Sequence, residues 1–558
     1  MVISFLILFG YQYLFVGFGP QGEVGQQTQE TTPQQRPPAT TPVPEKASTL
    51  PPIETGLPPV QAVLEKPEAT ADTVQPAKRP AKDIHVETDL YSAVLSEDGG
   101  IVKSFILKKH REKVDVGSAG KQLIQTDAGQ GFPLRFSWGS LGGGELVYTA
   151  SSETVSFDKG NKGGLRMVAR SENGLAIERF YEFDRESYLF QLTVRVKNLS
   201  DHSLQGTPYL HQVNSPIEGA GGATNRFLFN GPATYVNAAL KEVKPKDFEA
   251  GPMNVQGPLQ WVAYEGTYFM CAVVPGEGLG QTVTLAGNGE LVRMRIAGAL
   301  DTLQPGGEKQ YHYSIYYGPK KVSLLKETGY NLDKSINFGW FDVIARPTLA
   351  LLNFFYKYVK NYGIAIILVT VIFKGVFWPI TQKGLKSMKN MQKLQPKMAK
   401  IKEKYKSDPT KMNQEVMNLY KTYKVNPLGG CLPMVLQIPV FFALYKVLLQ
   451  CIELRHAPFM LWITDLSAPD RLWMGLNLPY LGGIPVLTLL MGASMFLQQK
   501  MTPNTADPTQ AKVMMFLPIV FTFMFLNFAS GLVLYWFINN LLAILQQQLI
   551  NRGAKKTA

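Results

Sequence analysis

The sequence predicts a multi-domain membrane protein: an extracytoplasmic antiparallel β-sandwich set on an α-helical membrane core of five spans, with an N-terminal anchor span making six in total. Three observations carry this. The mean hydropathy of −0.03 is that of a soluble protein, yet the apolar residues crowd into the last 200 or so of 558 positions. The middle of the chain alternates apolar and polar residues with frequent glycines, the period of strands. One loop between apolar segments, 383–424, holds twelve lysines against Glu403, Asp408 and Glu415, so the net charge of +13 is unevenly placed. The positive-inside rule puts that loop in the cytoplasm.

Residues 1–19, MVISFLILFGYQYLFVGFG, extend about 28 Å as a helix, enough to approach the thickness of a hydrocarbon core. A basic n-region and a small-x-small cleavage site are both missing, which favours an uncleaved anchor over a signal peptide. The missing basic flank also puts the expected start upstream of Met1. Residues 20–83 are rich in Pro, Gln and Thr, too poor in large apolar groups to offset the entropy of ordering, and read as a disordered linker. From Ile84, DLYSAVL, the turn SEDGG and IVKSFIL make a hairpin. In FQLTVRVK, Phe190, Leu192, Val194 and Val196 share one face. Such strands continue to about residue 320 and compose the β-domain, 84–320.

Residues 340–360 are apolar and aromatic with charges at the edges, and read as an amphipathic helix lying in the outer membrane interface. Spans are expected at 361–382, 428–449, 479–497, 513–528 and 532–549, the last two joined in a tight hairpin at Ala529, Ser530 and Gly531. The connection 450–478 carries Arg455 and Arg471 against Glu453, Asp465 and Asp470, lies outside, and contrasts with the short inner loop 498–512 and the inner tail 550–558. Both termini are then cytoplasmic. Within 383–424, apolar residues from Leu385 to Tyr405 and from Met412 to Tyr423 recur at helical steps, with SDPT between them, so the loop is a two-helix hairpin. Its lysines suit anionic lipid headgroups and equally an RNA-rich or acidic partner such as a ribosome.

Signatures of catalysis are missing. The six histidines show no HExxH or paired-ligand spacing, and the chain has no nucleotide loop and no GxSxG. No cofactor, no metal and no enzymatic activity are expected. GEGLG at 276–280 has no following helix and reads as a turn; His211 in PYLHQVNSP reads as packed or exposed, with a sugar pocket as the weaker alternative. The three cysteines, Cys271, Cys431 and Cys451, make no disulfide framework; the latter two are about 30 Å apart along one expected helix.

The span ILVTVIFKGVFWP (367–379) contains Lys374, the only charge between Asn361 and Gln382. A cation at that depth costs a few kcal/mol or more and needs either an exit to water or a function. Lys374 is about 13 Å along a helix from Lys383, whereas a lysine reaches about 6 Å, so lipid-facing snorkelling is strained. Lys446, near the outer end of its span, reads as a snorkelling residue instead.

The segments KVNPLGGCLPMVLQIPVFFALYKVL (424–448), IELRHAPFMLWITDLSAPD (452–470), QKMTPNTADPTQAKVMMFLPIVFTFMF (499–525) and SGLVLYWFINNLLAILQQQLINR (530–552) together resemble the YidC membrane protein insertases of the YidC/Oxa/Alb family, in the Gram-negative form with a large periplasmic domain. The order of parts agrees. The resemblance implies a periplasmic β-supersandwich, a location in the bacterial inner membrane, and a hydrophilic groove open to cytoplasm and lipid through which nascent membrane proteins are inserted and helped to fold, alone or with the Sec translocon. It places Lys374 where the family has an arginine, keeping the charge but losing the planar fork. It carries groove roles to Thr370, Gln437, Trp536 and Gln498. Blander readings stand beside these: Thr370 bonded to its own helix, Gln437 holding helices together, Trp536 packed. Candidate contacts for the apolar part of a substrate are Ile438, Phe441, Phe442, Met515 and Phe516. Lys389, Lys393, Lys397, Lys400 and Lys404 are candidates for docking ribosomes or nascent chains. The implied partners are nascent membrane proteins, the Sec translocon, the ribosome and membrane lipids, with no small-molecule substrate. Two rival readings are a transporter or channel with Lys374 as its ion site, and a membrane-anchored periplasmic carbohydrate-binding protein.

Overall fold

The computed structural model describes residues 80–115, 117–139, 146–157, 160–217, 228–423, 425, 432–475, 482–502 and 508–555. The expected anchor, all of the linker up to residue 79, and the NPLGGC motif fall outside the described residues. What is described divides into a β-rich part followed by a helical part.

The expected hairpin forms, Tyr91–Ser96 pairing antiparallel with Val102–Arg111. Gly99 and Gly100 close it at φ +66° and +61°, a region open to glycine at little cost. These strands sit in a five-stranded sheet in the order Gly120–Gln122, Val102–Arg111, Tyr91–Ser96, Asp83–Glu87 and Thr154–Val155. FQLTVRVK lies within a nine-stranded sheet, where Leu189–Asn198 pairs antiparallel with Leu175–Asp184 on one side and Glu308–Pro319 on the other. Phe190, Leu192, Val194 and Val196 are all buried, as the period-two pattern requires. A second five-stranded sheet orders Met253–Gln256, Thr282–Gly287, Val292–Ala297, Pro208–Asn214 and Arg135–Trp138.

Both five-stranded sheets pack on the nine-stranded one. The Tyr317 ring meets Phe105 edge-on at 5.4 Å, and its hydroxyl donates to Gln212 Oε1 at 2.8 Å. Trp138 Nε1 donates to Tyr311 Oη at 2.9 Å. These polar atoms are paired across the layers, which offsets much of the cost of burying them. Arg179, fully buried, does the same for turn carbonyls, donating to Gly99 O and Leu134 O at 3.0 and 2.6 Å.

The helical part comprises α1 Val322–Thr328, α2 Asp342–Val359, α3 Tyr362–Lys404, α4 Pro409–Thr422, α5 Leu432–Gln450, α6 Val486–Met501, α7 Pro508–Phe525 and α8 Ser530–Lys555. Among the described residues α3 and α8 are long and apolar enough to cross a membrane, and Leu436–Gln450 and Val513–Phe525 are shorter apolar stretches. Three boundaries differ from expectation. The helix of the first expected core span does not stop at 382: α3 is 43 residues long in all, so the first helix of the lysine-rich hairpin is its extension. Lys, Met, Leu and Gln between 382 and 404 are good helix formers, and Pro379 and Pro396 each remove one hydrogen bond without ending it. α6 begins at Val486 rather than 479, after Gly482, Gly483 and Pro485. The turn between the last two helices is 526–529 rather than 529–531, Ser530 already opening α8. SDPT breaks the hairpin as expected, with Pro409 in the first turn of α4 and Asp408 Oδ1 accepting from Lys411 N at 3.0 Å.

Candidate functional site

α8 packs against both α3 and α6. Lys374, on α3, is 8% exposed, and its Nζ donates to Asn539 Oδ1 of α8 at 3.3 Å. Gln437, on α5, donates from Nε2 to the same oxygen at 3.0 Å. One carboxamide therefore joins three helices. Around it is a small cavity, with about 10 Å³ of space open to water, lined by Thr370, Phe373, Lys374, Phe377, Thr381, Gln437, Val440, Tyr535 and Asn539. None of these is acidic. The ammonium is held between helices by neutral groups, with no neutralising carboxylate on the lining, so the cavity is polar and electropositive. Two turns further along α8, Gln546 Nε2 donates to Thr381 Oγ1 at 2.8 Å and continues the polar seam toward the lysine-rich end of α3.

The sequence candidates are only partly brought together. Lys374, Thr370 and Gln437 share the cavity; Thr370 also donates from Oγ1 to Ile366 O of its own helix at 2.7 Å. Trp536 lies outside the lining and packs edge-on against Phe441 and Phe525, each at 4.8 Å. Tyr535 and Asn539 are one helical turn apart and face the cavity, and a step of about 100° turns Trp536 away from them. Gln498 is half-buried on α6, also away from the cavity lining. Phe441 belongs to the aromatic cluster with Trp536, and Ile438 is half-buried. Phe442, Met515 and Phe516 are exposed, Phe442 stacking on Phe341 ahead of α2 at 5.6 Å. On the hairpin Lys393, Lys397, Lys400 and Lys404 are exposed, Lys397 over the Tyr423 ring at 4.3 Å, whereas half-buried Lys389 donates to Asn551 Oδ1 at 3.3 Å.

The residues that sequence reasoning missed are Asn539, Tyr535, Thr381 and Gln546. A signal existed: 535, 539 and 546 are separated by four and seven residues, one face of a helix, in a segment otherwise apolar enough to span. Outside the core, His211 sits in a strand with Nε2 3.0 Å from Ser137 Oγ. Burial, with the Arg295 and Arg135 guanidiniums beside it, pushes its pKa down to about 4. GEGLG is a turn, with Gly278 and Gly280 at positive φ, and lines an open cleft of about 690 Å³ with Tyr330. Among the described residues no three His, Cys, Asp or Glu side chains are placed to hold a metal ion.

Residues 83–351 match the family described as YidC periplasmic domain, and residues 354–557 that described as 60Kd inner membrane protein. A membrane protein insertase YidC of Citrifermentans bemidjiense is 44% identical over 477 residues, 85% of this chain and 86% of the relative. One from Geotalea uraniireducens is 43% identical over 498 residues, 89% of this chain and 91% of the relative. Among solved structures, an active YidC insertase with its first transmembrane domain resolved aligns with 84% of this chain and 92% of its own, at 20% identity and a TM-score of 0.35. A galactose mutarotase related enzyme from Lactobacillus acidophilus aligns with 42% of this chain and 97% of its own, at 11% identity and a TM-score of 0.30. With more than two-fifths of residues identical across most of both chains, this protein belongs to the YidC membrane protein insertase family.

Proposed function

We propose that this chain, a non-enzymatic insertase of the inner membrane, takes nascent membrane proteins through the polar cavity around Lys374. The observation that carries the reading is the meeting of Lys374, Gln437 and Asn539, from three helices, at one point of the helical core. A polar segment crossing a bilayer loses its water, at several kcal/mol per unsatisfied group. A hydrated cavity shortens the apolar distance it must traverse, and an electropositive one draws acidic or polar segments in. The apolar part of the substrate passes along exposed Phe442, Met515 and Phe516 and partitions into lipid. Insertion by this route needs no nucleotide.

The reading includes the six-span topology with the lysine-rich hairpin inside, the β-domain of 84–320 outside, and α2 in the outer interface. The exposed lysines of α3 receive the ribosome or nascent chain, and the Sec translocon shares the traffic. Its test is photo-crosslinking from positions 374, 437 and 536 to a stalled nascent membrane protein, with Lys374→Ala and Lys374→Arg complementation in parallel. Crosslinks are expected from 374 and 437, with arginine supporting growth and alanine failing; 536, outside the cavity lining, should label the more weakly. Silence at all three positions sinks the groove, and growth on alanine makes the charge dispensable.

A further inference from the structure

Three core helices, α3, α6 and α8, begin on the side that the proposed topology puts outside, and each start leaves backbone N–H groups without helical partners. One connection, residues 451–475, is bonded at all three. At α3, Asn361 Oδ1 accepts from Ile364 N while its Nδ2 donates to Phe459 O at 2.8 Å. The Phe459 ring lies so close that a Cβ on Gly363 would meet it at 1.9 Å. At α8, Ser530 N and Gly531 N donate to Ala468 O and Leu466 O at 2.8 and 2.9 Å. At α6 the partner is a carboxylate: Asp470 Oδ2 accepts from Leu487 N and from Thr488 N, the latter at 3.2 Å. Its Oδ1 takes the Trp462 indole N–H at 2.6 Å.

Asp470 is 2% exposed, so its charge is met by these donors and by the positive end of α6 rather than by water. Leu454, Ile463 and Leu466 of the same connection are buried. The carbonyl contacts at α3 and α8 are neutral, whereas the α6 contact is charge-assisted and reaches back through Trp462 into the middle of the connection. Asp470 is therefore the contact whose loss strips donors at two places at once.

We propose that Asp470 is the latch of an outer seal, holding residues 451–475 across the starts of α3, α6 and α8 so that the cavity around Lys374 has no path to the outside. The proposal rests on the groove reading and assigns Asp470 a positioning role, since it touches no cavity residue. Loss of the carboxylate leaves two α6 N–H groups and an indole N–H bare, and water follows them inward.

The test uses the full chain in sealed vesicles of both orientations, with Cys271, Cys431 and Cys451 replaced by serine and Gln437→Cys as reporter for a membrane-impermeant maleimide. In the parent, reagent is expected to react from the cytoplasmic side and to be excluded from the outside. Asp470→Ala raises the outside rate by about ten-fold, the loss of one to two kcal/mol of latch. Asp470→Asn, whose single amide oxygen can accept at α6 or from Trp462 but not at both, falls between parent and alanine, as does Trp462→Phe. An outside rate in Asp470→Ala equal to the parent's overturns the latch. If that variant fails to accumulate in the membrane, Trp462→Phe decides, and a parental outside rate there overturns it equally. A parent unreactive from the cytoplasmic side overturns the groove reading and the latch together, whereas failure of the outside arm alone removes only the latch.

Discussion

Asn539 accepts from both Lys374 and Gln437, so one neutral oxygen orients the cation. Asn539→Leu keeps the branching at Cγ and removes the acceptor, leaving two donors without their partner at a cost of about 1–3 kcal/mol. Insertion of a reporter with an acidic translocated tail should fall several-fold, measured by protease protection. An apolar-tailed reporter should be affected less, because it does not use the cation. A second prediction at this scale concerns pH. His211 is neutral in the fold with a pKa of about 4, and His110, buried and facing Arg455 and Lys321, is also pushed down to about 4. Unfolded, each titrates near 6.5, so the unfolded chain binds more protons as pH falls. Stability is complete above about 6.5 and is lost as pH drops toward 4, by roughly 1–2 kcal/mol per histidine at pH 5. Tryptophan-monitored thermal unfolding of the full chain at pH 7.5 and 5.0 should show the decline, and His211→Asn should flatten part of it. Lys374 was legible as an anomaly in an apolar run. Asn539 was legible only as part of the helix face it shares with Tyr535 and Gln546, because an asparagine in a span is equally consistent with a bond to its own helix.

At the scale of elements, period and punctuation predicted which segments are strands and helices better than where they end. FQLTVRVK and the 91–111 hairpin were readable because alternation and a Gly-Gly turn agree. The continuity of α3 was not, since the span to 382 and the helical stripe from Leu385 each read as a helix and nothing in their period says whether a break falls between them. Gly492 shows what helix crossings require: a Cβ there would come within 2.1 Å of Thr522 Oγ1 on α7. Gly492→Val should force α6 and α7 apart at a cost of about 1–3 kcal/mol, read as a lower unfolding temperature of the solubilised protein. An unchanged midpoint would mean that the contact opens without strain.

For the whole molecule, the β-domain and the connection 451–475 meet through Arg455, whose Nη2 donates to Glu112 O at 3.1 Å and whose guanidinium lies over the Phe269 ring at 5.3 Å. The cavity lining draws only on α3, α5 and α8. Deletion of residues 84–315 should therefore retain insertion of simple substrates in a depletion strain, and complete loss would count against placing the activity in the helical core. The sequence by itself determined the order of parts, the helical and strand faces, the side of the membrane expected for the lysines and the presence of one misplaced cation, because these depend on local period and local charge. Only the tertiary structure decided that this cation meets a residue 165 positions away, that Tyr535 rather than Trp536 faces it, and that Asp470 bonds the start of α6 to the connection 451–475. Such pairings follow from how helices cross and rotate against one another, which is set by packing over whole surfaces and is not written in the spacing of residues along any one of them.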